Sequence, residues 1–181
     1  MEQDRLSLHM WKEKPGRPDI PWKYEIILRK AEYYSNKKDR TLTDRILRRY
    51  YVGLHRGLSV RYMMQIPLNV CGPGLSIAHM GMVQIGAHTV IGKNLRILPG
   101  VLIGGSRSTP GEYPVLGDNI YFGAGAKILG GVRIADDVAI GANAVVTRDI
   151  TEAGTTYAGI PARRISDHDS HAYIDERVLN G

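Results

Sequence analysis

The sequence predicts a mainly β fold, a parallel β-helix in which short strands coil around a narrow core, preceded by a helical hairpin. Two observations predict it. An aliphatic residue returns every six positions over two long blocks, and glycine directly follows many of these residues. This period is typical of solenoids in which each repeat forms one flat side of a coil. We expect a helical region over residues 1–65, the β-helix over 66–165 and a tail over 166–181.

Two helices are predicted before the repeats. Asp19 and Pro21 are typical of a helix start, and the pattern runs to about Asn36. A second helix follows with Thr43 as its cap, and Pro67 ends the helical region. The second helix carries one apolar stripe, which predicts packing in a hairpin. The stripe comprises Leu42, Ile46, Leu47, Tyr50, Tyr51, Leu54 and Leu58.

The repeats form a ladder of aliphatic residues. Side chains separated by one coil stack inside, while backbone groups pair with the coils above and below. With three sides and about 18 residues to a coil, we expect five coils in a column about 24 Å tall. The ladder residues are Ile85, Ile91, Ile97 and Ile103, then Leu116, Phe122, Ile128, Ile134, Ile140 and Val146.

One stretch interrupts the ladder. The spacing from Ile103 to Leu116 is 13 residues, and the sequence between them, GGSRSTPGEYPV, is rich in turn formers. We expect a loop over residues 104–115. Loops that leave a rigid scaffold often carry function.

His79 stands six positions before Ile85, where the ladder predicts an aliphatic side chain. A polar residue on a rung predicts a side chain that faces a cleft. An exposed imidazole suits general-base chemistry near neutral pH. The alternative is a histidine that fills a turn and bonds a backbone carbonyl. His88 is interpreted as a surface residue.

Positive charge is concentrated in the N-terminal part. Residues 1–65 hold 15 Lys and Arg against 8 Asp and Glu, whereas residues 66–181 hold 9 against 10. No nucleic-acid partner is predicted, because the arginines lack interleaved aromatics on a recognisable binding motif. A solvated helix face is the simplest interpretation. A second hypothesis is peripheral association with a membrane or an anionic acceptor.

The cysteine count and hydropathy predict a cytoplasmic location. Cys71 is the single cysteine, so no internal disulfide can form. No apolar run approaches the roughly 18 residues that span a bilayer.

Four motifs resemble the hexapeptide-repeat acyltransferases, and among them the serine acetyltransferases and close relatives that acetylate sugars of surface polysaccharides. They are IPLNVCGPGLSIAHMG, GDNIYFGAGAKILGGVRI, IGANAVVTRDI and AGIPARRI. The resemblance spans residues 22–165. It implies a left-handed β-helix, a homotrimer, and acetyl-coenzyme A (acetyl-CoA) as acyl donor in a groove between neighbouring subunits.

The resemblance also implies roles for individual residues. His79 would be the general base that takes the proton from an acceptor hydroxyl. Glycines at the loop entrance would let the pantetheine arm approach the backbone, and Arg163 would lie near the phosphates. The implied cofactor-binding residues are Gly104, Gly105, Ala124, Ala142, Gly159 and Arg163.

The sequence departs from the serine acetyltransferases around the implied site. Ala78 replaces an aspartate that helps hold serine, and Glu112 and Tyr113 replace an arginine and a histidine on the loop. We interpret Glu112 and Tyr113 as acceptor contacts. The acidic residue that orients the base is also missing, which leaves Gln65 or Asn69 to orient the imidazole.

These departures favour a sugar or another small hydroxyl-bearing acceptor. Two alternatives stay open: a serine O-acetyltransferase of cysteine biosynthesis, and a non-catalytic solenoid scaffold. The scaffold alternative predicts that replacing His79 changes nothing measurable.

No metal site is predicted. Some hexapeptide-repeat proteins bind zinc through three histidines, but only His79 and His88 lie in the repeats. Their separation of nine residues equals one and a half sides, so they cannot share an edge of one subunit. GAGAKILGG lacks the Lys-Ser/Thr ending of a phosphate-binding loop.

Overall fold

A computed structural model describes residues 20–107 and 110–179. Its helices are α1 (Ile20–Asn36), α2 (Leu42–Tyr62) and α3 (Glu176–Leu179), with a 3₁₀ helix at His171–Tyr173. Its strands are β1 (Met64–Gln65), β2 (Ser76–Ile77), β3 (Val83–Ile85), β4 (Val90–Ile91), β5 (Arg96–Ile97), β6 (Leu102–Gly104), β7 (Val115–Leu116), β8 (Tyr121–Phe122), β9 (Lys127–Leu129), β10 (Arg133–Ile134), β11 (Ala139–Ile140), β12 (Val145–Val146), β13 (Thr156–Ala158) and β14 (Arg163–Ser166).

The strands form three sheets, one for each side of the coil. Sheet A has the order β1-β3-β6-β9-β12, sheet B has β4-β7-β10, and sheet C has β2-β5-β8-β11-β13-β14. Their pairings are parallel except for β13 with β14. The five strands of sheet A confirm the predicted five coils. β1 already pairs with β3, so the β-helix begins at Met64, inside the region predicted to be helical.

The predicted ladder residues form the core. Ile85 pairs with Ile103, and Ile103 with Ile128, in sheet A. Phe122 lies in sheet C beside its neighbours Ile97 and Ile140, and its side chain is fully buried. The six-residue period is therefore the spacing of inward-facing side chains.

His79 is not on the ladder, which corrects the prediction. Ile77 is buried and pairs with Ile97, 20 residues further on, so the first coil is longer than 18 residues. The additional residues lie in the turn over 78–82, between β2 and β3, and this turn carries His79. The His79 side chain is exposed, as the cleft hypothesis requires.

One corner of the coil is held by a ladder of side-chain hydrogen bonds. Asn94, Asn119 and Asp137 have left-handed backbone conformations, with φ of 58°, 55° and 60°. Such conformations are best tolerated by Asn, Asp and Gly. Asn94 Nδ2 donates to Asn119 Oδ1 at 2.8 Å, and Asn119 Nδ2 donates to Asp137 Oδ1 at 2.8 Å. The corners therefore add side-chain bonds along the column axis.

The helical hairpin covers the first coil. The Tyr24 hydroxyl is fully buried, donates to the Met64 carbonyl at 3.2 Å and hydrogen-bonds His55 Nε2 at 3.0 Å. Thr41, and not the predicted Thr43, caps α2: Thr41 Oγ1 accepts from the Asp44 N–H, and the Asp44 carboxylate accepts from the Thr41 N–H. This reciprocal pair is a capping box.

Burial of His55 makes the stability of the hairpin depend on pH. Desolvation lowers the pKa of His55 from its ordinary value of 6.5. Because the unfolded chain binds the proton more tightly, unfolding takes up a proton below about pH 6.5 and the folded state loses stability. We expect the free energy of unfolding to fall as the pH drops below about 6.5, with a slope of at most about 1.4 kcal/mol per pH unit. Urea titrations at several pH values measure it.

The matched variants for this test are His55→Gln and His168→Gln, since His168 is exposed. His55→Gln should flatten the pH dependence, and His168→Gln should leave it unchanged. Equal slopes for the wild type and His55→Gln would show that His55 is not the group responsible.

The segment after β14 covers the outer face of sheet C. The rings of Tyr121 and Tyr173 stack with centroids 4.0 Å apart, and Ile174 and Val178 are buried. In contrast, Gln65 and Gln84 on the outer face of sheet A are exposed. The outer face of sheet A, which lies between the turn that carries His79 and the loop, is therefore not covered in the way that sheet C is.

Candidate functional site

His79 lies on the edge of the β-helix where sheet C turns into sheet A; we call this the His79 edge. Backbone bonds stack its turns along the column. Gly125 N donates to Pro99 O at 2.9 Å, and Asn143 N donates to Ala124 O at 2.8 Å. The turns at residues 78–82, 98–100, 123–125 and 141–143 therefore lie one above another.

The structure brings three predicted cofactor-binding residues onto the His79 edge. Ala124 and Ala142 are exposed in successive turns, and Gly159, with φ of 94°, continues the edge beyond them. Val145 N donates to Gly159 O at 3.0 Å, which fixes that position in the stack. Four steps of about 4.8 Å give this edge a length of about 19 Å. Small side chains leave room for an extended molecule to lie against the backbone.

Arg163 begins β14, next to the top of the His79 edge, and is exposed. One of its guanidinium N–H groups donates to the Ala162 carbonyl at 3.2 Å. A guanidinium has five N–H donors. Arg163 therefore retains donors for an anionic group, such as a phosphate, at this end of the edge.

The loop residues lie on a second edge, where sheet A turns into sheet B; we call this the loop edge. Gly104 ends β6. A Cβ at Gly105 would lie 3.0 Å from the Glu112 carbonyl oxygen and 3.2 Å from the Tyr113 ring. The Tyr113 ring also contacts His88, with centroids 4.6 Å apart. Gly105 is therefore needed for the loop to fold back on its own start.

Sheet A separates the two edges within one chain. His79, Ala124, Ala142 and Gly159 share one edge, whereas Gly104, Gly105, Glu112 and Tyr113 lie on the other. One side of about six residues is up to about 20 Å wide. A single chain therefore does not bring all the predicted residues together.

Asn69 does not orient His79, which corrects that prediction. Its amide pairs with the amide of Asn36, at 2.7 and 3.1 Å, and its backbone N–H donates to Glu32 Oε1 at 2.8 Å. Gln65 lies on the outer face of sheet A and accepts a hydrogen bond from Gln84 Nε2 at 2.9 Å. A role for Gln65 in orienting His79 stays a prediction.

A cavity of about 830 Å³ lies between α2 and the first two coils. It reaches Met82, in the turn that carries His79. The sequence did not predict this cavity, because it depends on the angle at which the hairpin meets the coil. It is lined by Val52, His55, Arg56, Ser59, Val60, Met63, Gln65, Ile66, Pro67, Leu68, Met82, Val83 and Gln84.

His79 and His88 lie on different edges, so they cannot bind one metal ion within a chain. Among residues 20–107 and 110–179, no three metal-ligating side chains of His, Cys, Asp or Glu come together. None of the helices in the same ranges has both the length and the apolarity needed to cross a membrane.

Comparisons with known proteins identify the repeats. The family model "Bacterial transferase hexapeptide (six repeats)" matches residues 113–148. Serine acetyltransferase from Helicobacter pylori strain J99 is 45% identical over 96 residues, which cover 52% of this chain and 56% of that protein. The chain thus spans little more than half of that relative's length.

Solved structures share the fold. Soybean serine acetyltransferase complexed with serine superposes with a TM-score of 0.67 and 25% identity, covering 91% of this chain and 68% of that one. The Brucella abortus enzyme in complex with coenzyme A has a TM-score of 0.68 at 24% identity, covering 92% and 68%, and is a likeness of fold alone.

The repeats and the likeness to solved structures together define a left-handed parallel β-helix of the hexapeptide-repeat class. Within that class, the chain is similar to serine acetyltransferases.

Proposed function

We propose that this protein transfers the acetyl group of acetyl-CoA to a hydroxyl group, with L-serine as acceptor and His79 as general base. The observation that carries the proposal is an exposed imidazole on an edge that continues through Ala124, Ala142 and Gly159. The relatives named serine acetyltransferases support serine over the sugar acceptor that the sequence favoured. A cytoplasmic location belongs to the same proposal.

The chemistry needs one base and a tetrahedral intermediate. His79 takes the hydroxyl proton as the acceptor oxygen attacks the thioester carbonyl carbon, and backbone N–H groups stabilise the oxyanion. The carbon–sulfur bond then breaks, an ester remains on the acceptor, and the imidazolium returns its proton to the leaving thiolate. The products are the O-acetylated acceptor and coenzyme A, so atoms and charge balance without a metal or an oxidant.

The separation of the two edges supports a homotrimer. In such an assembly the His79 edge of one subunit would face the loop edge of the next, and the donor would lie between them. Gly104 and Gly105 would then border the groove from the neighbouring subunit, with Glu112 and Tyr113 near the acceptor. Arg163 would remain on the subunit that supplies His79.

Mixed oligomers test this shared site. His79→Ala removes the base, and Gly105→Val displaces the Glu112 and Tyr113 region, because its Cβ would lie 3.0–3.2 Å from both residues. Each variant alone should be inactive. If random trimers form from equal amounts, about a quarter of the sites should combine an intact His79 edge with an intact loop edge.

The two variants are unfolded, mixed and refolded together, and the rate of coenzyme A release by the mixture is measured. The control is each variant refolded alone at the same total concentration. Activity in the mixture supports a site between subunits. Its absence, when the separately refolded wild type recovers activity, would place the site within one chain.

A sugar hydroxyl is the second candidate acceptor. Ala78, directly before His79, is a nearly buried methyl group and offers no carboxylate to the ammonium group of serine. That observation favours an acceptor without a cationic amine. A serine enzyme on this scaffold would have to hold the amine through other groups.

An assay of free-thiol release distinguishes the candidates. L-serine should release coenzyme A above the rate of acetyl-CoA hydrolysis, and glycans or nucleotide sugars at the same concentration should do so less. The reverse order would assign the sugar acceptor. No release with either class, from a protein that binds coenzyme A, would contradict O-acetyl transfer to these acceptors.

A further inference from the structure

The solvent side of α2 carries an apolar stripe. We call Leu42, Ile46, Tyr50 and Val60 the α2 stripe; they are 74%, 61%, 60% and 82% exposed. Their spacing places them on one side of the helix, with Gly53 and Gly57 between Tyr50 and Val60. A Cβ built at either glycine meets nothing within 4 Å, so the space above them is open.

This exposure corrects the prediction that the apolar stripe of the second helix packs in the hairpin. Leu47, Tyr51, Leu54 and Leu58 are partly buried, but Leu42, Ile46 and Tyr50 are exposed. The hairpin and the first coil therefore use only part of the apolar surface of α2.

A band of arginines lies beside the α2 stripe. A groove of about 910 Å³ runs along it, and its lining contains no acidic residue. Lysine and arginine dominate that lining, so the groove is strongly positive. The lining consists of Lys38, Arg40, Arg45, Arg48, Arg49, Val52, Gly53 and Arg56.

The nearest acidic group on α2 does not neutralise this band. Asp44 is largely buried, and its carboxylate accepts from Lys37 Nζ at 2.8 Å and from the hydroxyl and N–H of Thr41. These contacts, with Lys37 foremost, lower the pKa of Asp44 to about 2. Its charge is therefore compensated locally by Lys37 and not by the arginines.

The α2 stripe and the arginine band together favour one kind of binding partner over others. A nucleic acid would contact the arginines but leave the α2 stripe in water. A second copy packed on the stripe would bring two arginine bands near each other, at an electrostatic cost. A helix with exposed apolar side chains beside a basic face is typical of one that lies in the plane of an anionic membrane surface.

We propose that the α2 stripe and the adjacent arginine band dock this protein on an anionic phospholipid bilayer. Leu42, Ile46 and Tyr50 would enter the boundary between headgroups and acyl chains, while Arg45, Arg49 and Arg56 contact lipid phosphates and carboxylates. Helix α2 lies along the surface and does not span it. The proposal does not depend on the acetyl-transfer reaction.

Vesicle co-sedimentation tests the proposal. The wild type should pellet with vesicles of phosphatidylcholine containing about one third phosphatidylserine, and much less with phosphatidylcholine alone. Raising the ionic strength from about 0.1 M to about 1 M should weaken the binding, because the Debye length shortens from about 10 Å to about 3 Å. Equal pelleting with both vesicle types at both salt concentrations would overturn the proposal.

Two charge-matched double variants locate the surface. Arg45→Gln with Arg49→Gln should weaken vesicle binding about tenfold or more. The control, Arg133→Gln with Arg148→Gln, removes the same charge from exposed positions on the β-helix and should weaken it by less than about threefold. Equal weakening would mean that net charge, and not this band, is responsible, and would overturn the proposal.

The apolar contribution needs its own variant. Leu42→Ser with Ile46→Ser should weaken vesicle binding while retaining the salt dependence. The same variant is run without lipid in sedimentation velocity. A changed oligomeric state would assign the stripe to contact between copies, and tight binding of duplex DNA by the arginine band with no binding to vesicles would assign a nucleic acid; either result overturns the membrane proposal.

Discussion

Replacing His79 by alanine is expected to lower the rate of coenzyme A release with L-serine by about 10²- to 10⁴-fold, the usual contribution of a general base. The dissociation constant for coenzyme A should change little, because Ala124, Ala142 and Gly159 remain in place along the edge. Steady-state thiol release and calorimetric titration of coenzyme A measure the two quantities separately. His79 is exposed in a turn, so its removal should change the unfolding temperature only slightly.

The matched control is His168→Ala. His168 is also exposed, but it follows β14 and lies outside both edges. It should retain wild-type turnover. Equal losses in the two variants would mean that turnover does not depend on the position of His79, and unchanged turnover in His79→Ala would favour a role other than general base.

Phe122→Ala should cost about 3–5 kcal/mol in the free energy of unfolding. The Phe122 side chain is fully buried in the central coil, where β8 pairs with β5 on one side and β11 on the other. Its removal leaves a cavity that the paired strands cannot readily close, because their backbones are hydrogen-bonded above and below. Urea denaturation followed by circular dichroism gives the difference.

Tyr50→Ala is the comparison for Phe122→Ala. Tyr50 is a large aromatic residue of which 60% is exposed, and its loss should change the free energy of unfolding by about 0.5 kcal/mol or less. A cost below about 1 kcal/mol for Phe122→Ala would indicate that the column relaxes around the missing ring, contrary to a tightly packed core.

The core could be predicted from the sequence because every coil from Ile85 onwards keeps the same six-residue spacing within a block. The first coil could not be placed by counting backwards. Its turn over 78–82 is longer, so counting from Ile85 assigns His79 to a rung that Ile77 occupies. A local signal existed: Leu75-Ser76-Ile77 has the same pattern as Leu95-Arg96-Ile97.

The packing of the helices was harder to predict from the sequence than the β-helix core. Periodicity identifies apolar residues on α2, but these cover more than one side of the helix, and the sequence does not say which side packs against the coil. Tertiary contacts of Tyr24 and His55 decide it. The cap at Thr41 was readable, since Asp44 stands three residues later and completes a capping box.

The resemblance implies a donor groove between neighbouring subunits, and the predicted site residues lie on two separate edges of one chain. His79, Ala124 and Ala142 recur at the same corner of successive coils, which the period predicts. Gly105 and Tyr113 lie one side away, because the loop leaves the column at the next corner. The motifs that resemble a known family identify candidate site residues, but they do not show which of these residues come from the same subunit.

Product analysis shows whether His79 activates a hydroxyl for acetyl transfer. Trideuterated acetyl-CoA and L-serine are incubated with the wild type or with His79→Ala, and the products are separated and identified by mass spectrometry. We expect the wild type to place the labelled acetyl group on the serine oxygen and His79→Ala to form almost no labelled O-acetylserine. Labelled O-acetylserine at the same rate from both proteins, or none from the wild type, would contradict it.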